Sequence, residues 1–118
     1  MQQKYLINCE YGSDNPEKAT IAFILAFTSS KTNPTAVFVT SDAAYLMLKN
    51  KRPQFVAYGY EPLNELIDGF IRNGGQIWIC PACAKAKGIT EDDLIQGAEL
   101  AGAPKTMAYL AEGAMTLA

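Results

Sequence analysis

The 118-residue chain has no histidine, one tryptophan and only three cysteines. Without an imidazole there is no usual base for a Cys–His hydrolase, and the commonest nitrogen ligand for zinc is missing. Three thiols are an odd number, which argues against a disulfide framework. Basic charge is also scarce: ten Lys and Arg, scattered, face twelve Asp and Glu, for a formal charge of −2. A phosphate-binding surface needs those cations concentrated, so nucleic acid is not an expected partner. Long apolar runs are absent too. The longest, Ile21 to Phe27, is far short of the ~20 residues that cross a bilayer, and no membrane contact is expected. The stretch from Lys4 to Glu10 is too short for a secretory leader and ends in a charge. The expectation is a cytoplasmic protein, in which thiols stay reduced and structural disulfides are rare.

What is present is an ordinary globular composition, 49% apolar and 19% charged, at a length suited to one domain spanning residues 1–118. Tyr5–Cys9 is a short apolar run with the pattern of a buried strand. Asn15 is placed as a cap and Pro16 at the first position of a helix running to Ser29–Ser30. Its Ala19, Ala22, Phe23, Ala26 and Phe27 share a stripe that Ile21, Ile24 and Leu25 widen. Ala36–Thr40 reads as a second strand, followed by a helix from Ala43 to Lys49 capped by Ser41 or Asp42, and Gln54–Tyr58 as a third strand. Pro62 opens a helix that Gly74 ends, with Leu63, Leu66, Ile67, Phe70 and Ile71 on one stripe. Gln76–Cys80 is the fourth strand. Thr90–Asp93 resembles a capping box and predicts a helix to Leu100; Pro104 starts another, and Ala114–Leu117 is the last strand. Alternating strands and helices predict an α/β fold: a three-layer α/β/α sandwich around a mainly parallel five-stranded sheet.

In such sheets ligands bind beyond the carboxyl ends of the strands. Four loops are expected at that edge: Glu10–Asn15, Ser41–Asp42, Gly59–Glu61 and Cys80–Cys83. All three cysteines fall on or beside it. Pro81 fixes φ and lacks an amide hydrogen, which suits a first helical position and makes Cys80 the cap. Free amides there favour a thiolate, so Cys80 is the expected nucleophile. Cys83, one turn along, is placed to resolve an adduct on it. Cys9, inside a strand, reads as an inert buried thiol. Lys85 and Lys87 read as solvated residues at the negative end of a short helix, and Trp78 as core. Glu10, Asp14 and Asp42 read as capping or solvated loop carboxylates.

The opening strand, "YGSDNPEKATIAFILAF", "AVFVTSDAAYLM" and "GGQIWICPACAKAKGI" together resemble the DsrE/DsrF-like family of small sulfur-trafficking proteins, which includes the TusD-type sulfurtransferase subunits. The resemblance covers nearly the whole chain. It implies a flavodoxin-like protomer that assembles into a homo-oligomer (dimer, trimer or hexamer). It also implies a persulfide on the cysteine after the fourth predicted strand, Cys80, passed from a sulfur donor protein to an acceptor protein without a cofactor. Two other readings of the same residues stay open. Cys80 and Cys83 could form a thiol–disulfide couple, or the protein could be a binding subunit for a small ligand or for a metal held by Cys9, Cys80 and Cys83.

Overall fold

A computed structural model describes residues 2–117. Five strands, β1 (Tyr5–Cys9), β2 (Thr35–Val39), β3 (Gln76–Ile79), β4 (Ala98–Leu100) and β5 (Met115–Leu117), form one sheet in the order β4-β3-β2-β1-β5. Every neighbouring pair is parallel. Four α-helices connect them: α1 (Pro16–Ser30), α2 (Leu63–Arg72), α3 (Pro81–Ala86) and α4 (Ala103–Ala111). Among the described residues no helix is long and apolar enough to cross a membrane.

Alternation along the strands sorts the core into two layers. Ile7, Cys9, Val37, Val39, Ile77 and Ile79 face α1 and α2, whose Phe23 and Phe70 rings meet edge to face at 6.2 Å. Leu6, Ala36 and Trp78 face the other way, towards α4. There the Tyr109 ring stands nearly perpendicular to Trp78, 5.2 Å from it. The result is the expected three-layer sandwich. Its layering is flavodoxin-like, but flavodoxin itself runs 2-1-3-4-5. Here the chain steps steadily from β1 to β4, and β5 returns to the far side of β1.

Several local readings hold. The Asn15 side chain accepts the Lys18 amide at the start of α1, with Pro16 at its first position. Leu63, Leu66, Ile67 and Phe70 are buried along α2, and Gly74 follows with φ +89. Ile21 and Leu25, expected to widen the buried face of α1, instead remain more than a third exposed.

Two elements differ. Gln54–Tyr58 is not a strand. Its residues do alternate, with Phe55 packed on the core, Ala57 buried, and Val56 and Tyr58 exposed. Both edges of β2 are taken by β1 and β3, however, so this segment has no place between β2 and the next strand. The predicted helix to Leu100 is also absent. The Thr90–Asp93 capping box forms, but it closes only a 3₁₀ turn, Glu91–Asp93. Beyond it the Ile95 amide donates to the Met47 carbonyl at 2.8 Å, and the Lys49 amide to that of Asp93 at 2.9 Å. These bonds pull the chain into an extended path. Gly97, at φ +98, then turns it into β4. The helix expected over Ala43–Lys49 is a tighter 3₁₀ helix, Ser41–Met47, with Thr40 as its cap residue.

Candidate functional site

Cys80 follows β3, the fourth of the predicted strands, because Gln54–Tyr58 does not form one. Its own amide continues the sheet by donating to the Val39 carbonyl at 2.9 Å. Its carbonyl accepts the Ala84 amide at 3.0 Å, which begins α3. One residue therefore ends a strand and caps a helix, with Pro81 at the helix's first position. This leaves the thiol half-buried at the carboxyl edge of the sheet.

Burial is the largest single influence on that thiol and opposes ionisation. The backbone and thiol of Cys83 and the backbone of Ala82 act the other way, favouring the charged sulfur, and together they outweigh burial. Cys80 is thereby held below the ordinary thiol range. Cys83, half-buried on the first turn of α3, also receives the backbone amide of Ser41 at 3.3 Å. Ser41 has φ +53, a left-handed conformation unusual outside glycine, and it turns the chain out of β2 towards α3.

Cys9 stands apart. β2 lies between β1 and β3, which puts Cys9 and Cys80 about two strand spacings, roughly 10 Å, from each other. Cys9 is 2% exposed, and burial, with the charges of Glu10 and Asp14, pushes its thiol up to about 12 against the opposing influence of the Tyr11 backbone. The thiol donates to the Tyr11 carbonyl at 3.5 Å. The inert reading of this residue fits. Among the described residues no three of the His, Cys, Asp and Glu side chains stand together as a metal site. The three-thiolate arrangement is thus not assembled by this fold.

The loop carboxylates near this edge shape its turns. Asp14 accepts the Gly12 amide at 2.8 Å, and Asp42 accepts the Asp14 amide at 3.3 Å. Gly12 lies against this pair: a β-carbon there would stand 2.7 Å from the Asp42 carbonyl oxygen. The loops after β1 and β2 are thereby clamped together. Gly59–Glu61 does not leave a strand as expected, although the Tyr60 hydroxyl returns to Glu17 on the first turn of α1, at 3.1 Å. Lys85 is exposed, and the Lys87 ammonium lies over the Tyr45 ring, 5.6 Å from its centre. Where the strand order reverses, beside β1, an open cavity of about 380 Å³ is lined by Cys9, Tyr11, Lys18, Ile21 and their neighbours.

The residue that sequence reasoning passed over is Ser41. Its residue type suggests a cap in a loop at the sheet edge, whereas its contribution is a backbone amide whose direction depends on a positive φ. Nothing in the residue type announces that conformation.

The profile of the DsrE/DsrF-like family matches residues 3–118. An uncharacterized protein of Methanocaldococcus jannaschii is 32% identical over 114 residues, which are 95% of this chain but only 41% of that longer protein. In solved structures, the ychN protein of E. coli superposes with a TM-score of 0.79 at 17% identity, covering 99% of this chain and all of that one. A protein of unknown function from Methanobacterium thermoautotrophicum gives 0.68 at 13% identity, covering 99% and 98%. At those identities the two structures speak for the fold alone.

Proposed function

Because the chain belongs to the DsrE/DsrF-like family, we propose that it serves in sulfur relay as a persulfide carrier, with Cys80 as the loading residue. The observation that carries this reading is the placement of Cys80. Its half-buried thiol caps α3 at the carboxyl edge of the sheet, where the neighbouring Cys83 and Ala82 favour the thiolate. The Cys80 thiolate attacks the outer sulfur of a donor persulfide, expels the donor's thiolate and holds the transferred sulfur as Cys80–S–SH. An acceptor thiolate then attacks that outer sulfur, and Cys80 leaves as the thiolate. The exchange is redox-neutral and uses no cofactor. The donor and acceptor would be partner proteins in the cytoplasm. Exposed Tyr45 and Tyr58 are candidates for contacts with them or with further copies of the chain.

The test is the mass of the reduced protein after incubation with polysulfide, with the modified peptide mapped. One added sulfur on Cys80, absent from Cys80→Ser, is the expected result. Full loading of Cys80→Ser would refute the reading.

One observation favours a second reading. Cys80 caps α3 and Cys83, also a free thiol, lies on its first turn, which suits the pair to closing a disulfide. A thiol–disulfide oxidoreductase would show a reversible mass two hydrogens lower in glutathione buffers and no sulfur uptake. A pair that never exchanges with glutathione removes this alternative.

A further inference from the structure

Lysines that are scattered along the sequence are regrouped by the fold beside Cys80. The 3₁₀ helix Ser41–Met47 is joined to α3 at two points. The Ser41 amide donates to the Cys83 sulfur at 3.3 Å, and Lys87, which follows α3, holds its ammonium 5.6 Å from the centre of the Tyr45 ring. The chain leaving the 3₁₀ helix is fastened in the same region. Leu48 bridges to Leu94, the Lys49 amide donates to the Asp93 carbonyl at 2.9 Å, and Lys51 turns the chain with a left-handed φ of +57. Between these segments opens a cavity of about 400 Å³, whose walls include Tyr45, Leu48, Lys51, Lys87 and Ile89.

The charges around it are unspent. Among the described residues none of Lys49, Lys51, Lys85 and Lys87 forms an ion pair, whereas Arg52 is paired with Asp68. The carboxylates of this region are mostly engaged. Asp93, also in the cavity wall, accepts the Thr90 amide and hydroxyl at 2.8 and 3.0 Å, and Glu91 accepts the Leu100 amide at 3.1 Å; Asp92 is exposed. Free ammonium groups around an aromatic and aliphatic cavity suit an acidic polypeptide with some apolar bulk. Nucleic acid suits it less, because three carboxylates stand in the same region and the whole chain carries a charge of −2.

Cys80 caps the start of α3 and Lys87 its end, which places them roughly 10 Å apart along the helix. An extended peptide covers that span in about three residues. We propose that this cavity receives an acidic segment of the sulfur acceptor protein, with carboxylates about three residues from the thiol that takes sulfur from Cys80. The proposal rests on the carrier reading above and states the kind of partner it requires. Carboxylates on Lys51 and Lys87 hold the acceptor thiol at Cys80. The acceptor thiolate attacks the outer sulfur of Cys80–S–SH, and the bond to the Cys80 sulfur breaks with its electron pair on Cys80. The acceptor leaves as the persulfide.

The experiment loads the protein with polysulfide, frees it of donor, and offers it two short synthetic peptides, each with one cysteine. One carries two glutamates about three residues from the cysteine, the other glutamines there. The readout is the ratio of the two transfer rates, so differences between the peptide thiols cancel when proteins are compared. At low salt this ratio should be about fivefold higher for wild type than for the double variant Lys51→Gln, Lys87→Gln, the factor that two exposed ion pairs supply. Salt at about 1 M, where the screening length is about 3 Å, should erase the difference. Lys31→Glu changes the net charge by the same amount just beyond the end of α1 and should keep the wild-type ratio. A ratio unchanged in the double variant, or lowered equally by Lys31→Glu, overturns the proposal. If wild type takes up no sulfur, it is the carrier reading that fails. The acidic docking surface is then judged by NMR titration of the unloaded protein with the glutamate peptide carrying serine for cysteine. Shifts centred on Tyr45, Leu48 and Ile89 that the double variant lacks uphold it, and shifts elsewhere or none refute it. Shifts there with a short single-stranded DNA and none with the peptide would assign the surface to nucleic acid and equally overturn the proposal.

Discussion

The three thiols are set apart most sharply by the state of Cys9, and this can be tested quantitatively. With the Cys9 thiol pushed up to about 12 from an ordinary value of 9.0, roughly one molecule in 10⁴ carries the thiolate at pH 8, against about one in ten for an ordinary thiol. Ionisation alone thus slows Cys9 about a thousandfold before its 2% exposure is considered. A timed iodoacetamide reaction on the native protein, mapped by mass, should modify Cys80 first and leave Cys9 untouched until urea unfolds the chain. The same shift links stability to pH. The folded state holds Cys9 neutral while the unfolded chain ionises near 9. Its contribution is complete below pH 9 and is lost as pH rises towards 12. Each unit in that window costs about 1.4 kcal/mol, or about 4 kcal/mol across it. Cys9→Ala removes this titration and leaves a small cavity, which should cost about 1–2 kcal/mol at pH 8. Wild type should therefore be the more stable protein at pH 8 and lose that advantage near pH 10, as read from urea unfolding of both proteins at each pH. Lysines and tyrosines titrate in both proteins, so the difference isolates Cys9. A gap that stays constant to pH 11, or native alkylation of Cys9 within tenfold of Cys80, would refute the reasoning.

Other consequences concern the frame around the site. A β-carbon at position 75 would stand 2.3 Å from the fully buried Phe70 ring, so Gly75→Ala should lower stability by about 1–3 kcal/mol in urea unfolding. Ser41→Gly relieves a left-handed serine while keeping its amide; a gain of up to about 1 kcal/mol with unchanged sulfur loading is expected. The Thr90 amide and hydroxyl hold the Asp93 carboxyl below its usual range, so its contribution is present above about pH 4 and is lost as pH falls through the lowered value. Asp93→Asn should flatten the acid limb of the thermal stability profile.

How much of this was legible without a structure depended on how local the cause was. Asn15 with Pro16, Leu63 through Phe70 ending at Gly74, and Cys80 with Pro81 each combine a periodicity with an adjacent cap or breaker. These signals act within a turn or two of chain, and they were sufficient to place Cys80 at a strand end. They failed where the deciding partner was distant. Gln54–Tyr58 has the alternation of a strand, and only the direct pairing of β2 with β3 denies it a place. Ala98–Leu100 lies in a sequence that reads as helix, yet it becomes a strand because Met47 and Asp93 draw its approach into extended chain and β3 offers an open edge.

The sequence by itself determined the alternation of elements, the chemistry at the end of "IWIC", and the absence of an imidazole to assist it. Only the tertiary structure decided which thiols are neighbours and which donors face them. Strand order, a property of the whole chain, inserts β2 between Cys9 and Cys80, and a positive φ at one serine brings an amide from 42 residues away onto Cys83. A residue's type sets what its side chain can do locally, whereas a backbone amide is the same in every residue except proline. Its use is settled by where the fold points it.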